Sequence, residues 1–155
     1  MLTYKKGDRE FRPWGYFKVL DCGYLPDGRE FCEKLLVVAP CKILSLQSHD
    51  LRQEVWTVQA GTLTAIRGWR RHRLSPASSI KIPSRAIHTI ANLENMPLIL
   101  HERQTGICRE GDIIRYADIH GRAQPAAGPA WLFLSQRLYK NMIKEISDSS
   151  LKQQA

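Results

Sequence analysis

The chain has 155 residues, 43% hydrophobic and 25% charged, with 10 glycines and 8 prolines; this suits one compact domain and excludes collagen, coiled coil and wholesale disorder. No apolar run is long enough to span a bilayer, and the N-terminus lacks the apolar segment of a secretory signal, so a cytoplasmic protein without membrane contact is expected. The net charge of +8 favours an anionic partner, either a small phosphorylated molecule or nucleic acid.

In chain order, residues 14–116 read as short strands broken by turn residues. Residues 35–38 stop at Ala39-Pro40, residues 43–49 alternate in polarity, residues 54–60 stop at Gly61, and residues 63–66 stop at Gly68. Arg67, Arg70, Arg71, His72 and Arg73 surround Trp69, which predicts a hairpin tip; such a cluster is more often a solvated loop than a polyanion site. Residues 80–82 end at Pro83, residues 88–91 follow a tight turn, and Pro97 introduces residues 98–100. Strands this short argue for an all-β fold, an antiparallel sandwich or barrel.

The tail differs. After a loose linker over 123–128, Pro129 opens a stretch in which Trp131, Leu134, Leu138, Met142 and Ile146 recur at helical spacing. One amphipathic helix is expected, packed on its own domain or on a dimer mate, with a polar tail from Ser147. Residues 1–122 thus form the barrel with an N-terminal extension, and residues 123–155 the linker and helix. Cys22, Cys32, Cys41 and Cys108 have no Cys-x-x-Cys spacing, so reduced thiols are expected.

Strand alternation brings chemistry together. Gln47 and His49 project from one face, the Asp50-Leu51-Arg52 stretch can turn, and Glu54 begins the next strand on the face shared with Trp56 and Val58; His88 opens a later strand with Ile90 turned inward. Imidazole nitrogens, a carboxylate and an amide oxygen suit a borderline divalent ion: zinc first, with manganese, iron, cobalt or nickel also accepted. The spacing Gln47-x-His49-x4-Glu54-x6-Gly61, then Pro83-x4-His88-x3-Asn92, resembles the two cupin motifs, with Gln47 where many cupins have a first histidine.

More narrowly, Arg12-Pro13-Trp14-Gly15, the segment from Leu44 through His49, Arg52, Glu54 and Trp56, and the stretch from Gly106 through Arg115 to Gly121-Arg122 resemble the cupin isomerase domain of type II mannose-6-phosphate isomerases. The resemblance covers residues 11–122. It implies a cupin-type antiparallel jelly-roll barrel holding one divalent metal through Gln47, His49, Glu54 and His88, and interconversion of mannose 6-phosphate and fructose 6-phosphate through a metal-stabilised enediolate, feeding polysaccharide synthesis. It also implies homodimers. Arg52 matches a family arginine able to face the enediolate or the phosphate, and Lys34 and Arg115 match family positions read as substrate-binding. In that family the domain commonly follows a guanylyltransferase domain. No Gly-rich phosphate loop in βαβ surroundings precedes it here, so guanylyl transfer is not expected of this chain.

The chain also departs from the family. Asp50-Leu51 stands within a run of family histidines, Val55 replaces another, Arg85 stands where the second motif has glycine, and the stretch from Gly106 to Arg115 is about one residue short. Asp50 is the candidate replacement for the lost proton-transfer group. Two other readings compete with the isomerase: a non-catalytic metallo-cupin that binds a sugar or sugar phosphate, and a docking surface built from the Arg67–Arg73 cluster and the helix.

Overall fold

The computed structural model describes residues 1–152. Twelve strands form two antiparallel sheets, and one helix follows. The first sheet takes β1 (Arg9–Arg12), β2 (Gly15–Tyr24), β3 (Glu30–Val38), β6 (Arg52–Ala60), β9 (Ser79–Ile82) and β11 (Leu98–Gly106), in the order β1-β2-β3-β11-β6-β9. The second takes β5 (Leu46–His49), β7 (Leu63–Arg67), β8 (Arg70–Leu74), β10 (His88–Asn92) and β12 (Ile113–Ala117), in the order β12-β5-β10-β7-β8, with β4 (Lys42–Ile43) paired to β10. This is the expected all-β, cupin-type jelly-roll barrel.

Strand alternation builds the inner core. In β3, Cys32, Lys34, Leu36 and Val38 are buried while the residues between them are only half-buried, and β6 repeats this with Arg52, Glu54, Trp56 and Val58. The apolar members join Trp14, Phe17, Val19, Leu98 and Leu100 between the sheets. Strand β6 starts two residues earlier than expected, so Arg52 is an inward-facing strand residue and not part of the turn.

The motif's punctuation is structural. Gly61 has φ +80°, and a Cβ there would lie 2.6 Å from the Pro97 carbonyl oxygen, so the turn excludes any side chain. Asn92 donates from Nδ2 to the carbonyls of Val38, Ala39 and Met96 at 3.0, 3.2 and 2.7 Å, tying the end of β10 to two loops. Arg85 adopts φ +66°, so the left-handed backbone persists where the family's glycine is missing.

Strand β10 is buried throughout because its outer face is covered as well. The cover is α1 (Leu132–Lys152), whose Tyr139 and Met142 pack with Ile43, Leu46, Ile66, Ile87 and Ala91. Of the five residues expected to form the stripe, Met142 is fully buried and Trp131, Leu138 and Ile146 pack half-buried against the same cluster; Ser135 and Tyr139 are buried beside them. Both buried hydroxyls are satisfied by the sheet: Ser135 Oγ donates to the Gly68 carbonyl at 2.7 Å and Tyr139 Oη to the Leu44 carbonyl at 3.0 Å. The helix also continues past Ser147 to Lys152. No described helix is long and apolar enough to cross a membrane.

Strands β7 and β8 form the expected hairpin, with Gly68 at φ +62° in its turn. Its arginines are partly committed: Arg71 pairs with Glu145 of the helix, Arg73 with Glu94, and Arg67 donates to the Lys81 carbonyl.

Candidate metal centre

Strands β5 and β10 of one sheet and β6 of the other direct His49, His88 and Glu54 to one point inside the barrel. All three are buried, and one ligand atom from each lies within 4.8 Å of the others. Gln47 pairs in register with His88, and its Nε2 lies 3.3 Å from His49 Nε2. Its Oε1 accepts from Ser45 Oγ at 2.6 Å, so turning that oxygen toward the histidines requires a rotation of the amide.

The His88 ring is set as a metal-ligating imidazole is, whereas the Nδ1 of His49 is buried without a hydrogen-bond partner. His88 Nδ1 lies 2.8 Å from the Ala86 carbonyl, which makes Nδ1 the protonated nitrogen and leaves the lone pair on Nε2. That Nε2 is buried without a hydrogen-bond partner, 3.9 Å from Glu54 Oε2. His49 Nε2 faces Arg52 Nη2 at 3.1 Å and Glu54 Oε1 at 3.3 Å; arginine can only donate, so here too the lone pair is on Nε2. Burial holds the His49 ring neutral, its pKa lowered to about 3, and lowers that of His88 as well.

Burial opposes ionisation of Glu54, but it is outweighed by His49 and His88 where they are protonated and by the permanently charged Arg52 that pairs with it, so the carboxyl lies below its ordinary range. Arg52 Nε and Trp56 Nε1 each donate to it at 3.0 Å. Two neutral nitrogen lone pairs and a carboxylate converging in a buried site, the lone pair of His88 Nε2 unpartnered, fit a borderline divalent ion; this donor set does not select which one.

A cavity of about 140 Å³ opens on this cluster, with a smaller chamber of about 30 Å³ beside His88. Gln47, Glu54 and Glu102 line both. Glu102 was not among the sequence candidates. It lies on β11 opposite Lys34 of β3 and Trp56 of β6, accepts from Gln104 Nε2 at 3.0 Å, and is buried. Burial, and next the Glu54 carboxylate, push its carboxyl up to about 8 against the opposing pull of Lys34 and Arg52. Lys34 also lines the large cavity, with Nζ 3.9 Å from the centre of the Tyr4 ring and 4.4 Å from that of Phe17.

Arg52 and Arg115 line the same cavity. Asp50 does not: it is exposed, 3.9 Å from Arg85 Nε. Leu51 is exposed and Val55 lies on the opposite face of β6 from Glu54, so the positions where the family's histidines are replaced fall outside the cavity lining. All four cysteines are free thiols. Glu102 carries no local spacing signal; what marks it is β11 reading as alternating burial with a carboxylate on its inner face, whereas Arg12, also lining the cavity, opens the Arg12-Pro13-Trp14-Gly15 string without counting among the sequence candidates.

Residues 3–118 match the family described as Mannose-6-phosphate isomerase C-terminal. The xanthan biosynthesis protein XanB of Xanthomonas campestris is 37% identical over 113 residues, 72% of this chain and 23% of that protein. The mannose-1-phosphate guanylyltransferase of Escherichia coli is 35% identical over 113 residues, 72% of this chain and 23% of that protein. The chain therefore spans about a quarter of the length of these relatives. Among solved structures, the capsular polysaccharide assembling protein CapF of Staphylococcus aureus superposes with a TM-score of 0.61 at 13% identity, over 69% of this chain and 33% of that one, a likeness of fold. By the residues matched and the identity to these relatives, the chain belongs to the mannose-6-phosphate isomerase C-terminal family.

Proposed function

We propose that this domain is a metal-dependent sugar-phosphate isomerase interconverting mannose 6-phosphate and fructose 6-phosphate. The observation that carries the reading is Glu102, a buried carboxyl that lines the large cavity with Glu54 and the small chamber with Glu54 and His88. Aldose–ketose interconversion moves a proton between C1 and C2 while negative charge develops on oxygen. A divalent ion held by His49, Glu54 and His88, with Gln47 beside them, would supply positive charge to that oxygen.

The chain's own groups do the rest. As the carboxylate, Glu102 takes the proton from C2 and returns it at C1 while the hydroxyl proton passes from O2 to O1, and burial beside Glu54, which pushes its carboxyl up to about 8, makes that carboxylate a stronger base than an exposed one. Asp50, outside the cavity lining, does not share this role. Lys34 offers a second fixed cation opposite Glu102. Arg52 holds Glu54 ionised and in place.

A coupled assay for fructose 6-phosphate on metal-loaded protein, beside a chelated sample and His88→Ala, tests the reading. Turnover lost in both controls is expected. Stoichiometric metal without turnover overturns it in favour of a metallo-cupin that binds its sugar without converting it.

A further inference from the structure

A second pocket, of about 370 Å³, lies at the tip of the β7–β8 hairpin and shares no lining residue with the cavity at the metal cluster. Its walls are the hairpin turn with Trp69, the turn from Pro83 to Ala86 ahead of β10, and Trp131 just ahead of α1. Arg67, Arg70 and Arg85 also line it, and no carboxylate does.

The fold leaves two features of this pocket unsatisfied. Trp69 keeps 51% of its surface exposed, although an indole is a large apolar group to leave in water. It meets Trp131 edge-on, with ring centroids 5.0 Å apart and planes at 69°, so the two rings do not cover each other's broad faces. Arg67 and Arg70 stand directly opposite each other where the hairpin closes, a pairing in which like charges repel. Neither has a carboxylate partner among the described residues; Arg67 donates instead to the Lys81 carbonyl at 3.0 Å. Their field reaches His72, whose pKa is lowered by burial first and then by both guanidiniums. At the margin, the Asp50 carboxylate stands 3.9 Å from Arg85 Nε and offsets that cation in part.

The walls are preset. Gly68 N–H donates to the Ile87 carbonyl and Arg85 N–H to the His49 carbonyl, both at 2.7 Å, and Ser135 Oγ of the helix donates to the Gly68 carbonyl. Hairpin, turn and helix are thus locked together, and a ligand has little backbone to order. An indole face stacks on a flat ring, and guanidiniums pair with phosphate. A neutral ring would leave the arginines idle, and a bare phosphate would leave the indole idle, so the matching ligand carries both. The row of free cations also stops here, because Arg71 is paired with Glu145 and Arg73 with Glu94. A nucleic-acid strand therefore finds no continuing track, whereas the volume is that of a small-molecule site.

We propose that this pocket binds a mononucleotide, with its base stacked on Trp69 and its phosphate held by Arg67, Arg70 and Arg85. The site stands apart from the isomerase reading and survives its failure.

Calorimetric titration of the metal-loaded chain is the test. AMP is the probe, since a purine offers the broader face for stacking; ribose 5-phosphate lacks its base and adenosine lacks its phosphate. AMP is expected to bind at least tenfold more tightly than either, and equally well with and without mannose 6-phosphate. Trp69→Ala and Arg70→Gln should each weaken it fivefold or more. AMP that does not bind, binds no more tightly than ribose 5-phosphate or adenosine, or stays within twofold of wild type in either variant overturns the proposal. Displacement of AMP by mannose 6-phosphate also overturns it, by placing the nucleotide in the other cavity. An adenylate hexanucleotide bound tenfold more tightly than AMP overturns it in favour of a nucleic-acid strand. Should Trp69→Ala fail to fold, Arg70→Gln, whose side chain is exposed, is read in its place.

Discussion

Arg52 donates from Nη2 to His49 Nε2 at 3.1 Å, using the lone pair that a metal ion would take. Its Nε is bonded to Glu54 at 3.0 Å and its Nη1 to the Arg109 carbonyl at 2.6 Å, so in the metal-free chain one buried guanidinium neutralises the ligand cluster. Arg52→Gln leaves a buried carboxylate without its counter-charge and should cost the metal-free protein about 3 kcal/mol. A bound cation restores the charge balance. Thermal melting with and without chelator should therefore show a larger gap in the variant than in wild type; an equal gap would rule out this role.

The neutral imidazoles make the metal-free protein acid-sensitive. With the folded pKa of His49 near 3 against an ordinary 6.5, the unfolded chain binds the extra proton between those values. Stability present above pH 6.5 is lost as pH falls toward 3, at up to about 1.4 kcal/mol per pH unit for that ring, with His88 shifted in the same direction. Urea unfolding of chelated protein at pH 7.5 and 5.5 should give a lower midpoint at the acid value, and His49→Gln should flatten the dependence.

Glu102→Gln preserves size and hydrogen-bonding reach while removing the titrating proton. Turnover should fall on the order of a hundredfold or more with metal stoichiometry intact, whereas Asp50→Asn should stay close to wild type. Steady-state kinetics and metal analysis of the two variants decide between the carboxyls.

Cys32 and Cys108 are buried, and their thiols are pushed up to about 12 and about 11, by burial first. Thiolate is the reactive form, so iodoacetamide at pH 8 should modify the half-buried Cys22 and Cys41 while the other two react only on unfolding. Peptide mapping by mass spectrometry reads this directly.

The helix is fixed by packing. Met142 is fully buried between α1 and the second sheet, and Met142→Ala should cost about 2–5 kcal/mol by leaving a cavity there. Chemical denaturation measures the loss.

Legibility in the sequence followed distance along the chain. Gln47, His49 and Glu54 fall within eight residues across one turn, where strand alternation alone predicts their convergence. His88 came within reach because Pro83 and Asn92 bracket its strand. Glu102 depends on β11 lying between β3 and β6, a pairing that no local pattern states. Asp50 is a candidate because it stands in the family's run of histidines; which way a turn residue faces is not written in that position, and here it is exposed, 3.9 Å from Arg85 Nε. On the helix, periodicity located the element and most of its packed face, while Ser135 and Tyr139, polar by composition, gave no sign of belonging to it.

His49 and His88 belong to one sheet and Glu54 to the other. An ion held by all three would therefore rivet the two leaves of the barrel together at a single interior point, leaving the rim at β1 and β12 as the part free to spread. Loading should slow amide exchange in β5, β6 and β10 together, although β10 lies far from the other two in the chain, and leave the rim strands exchanging as before.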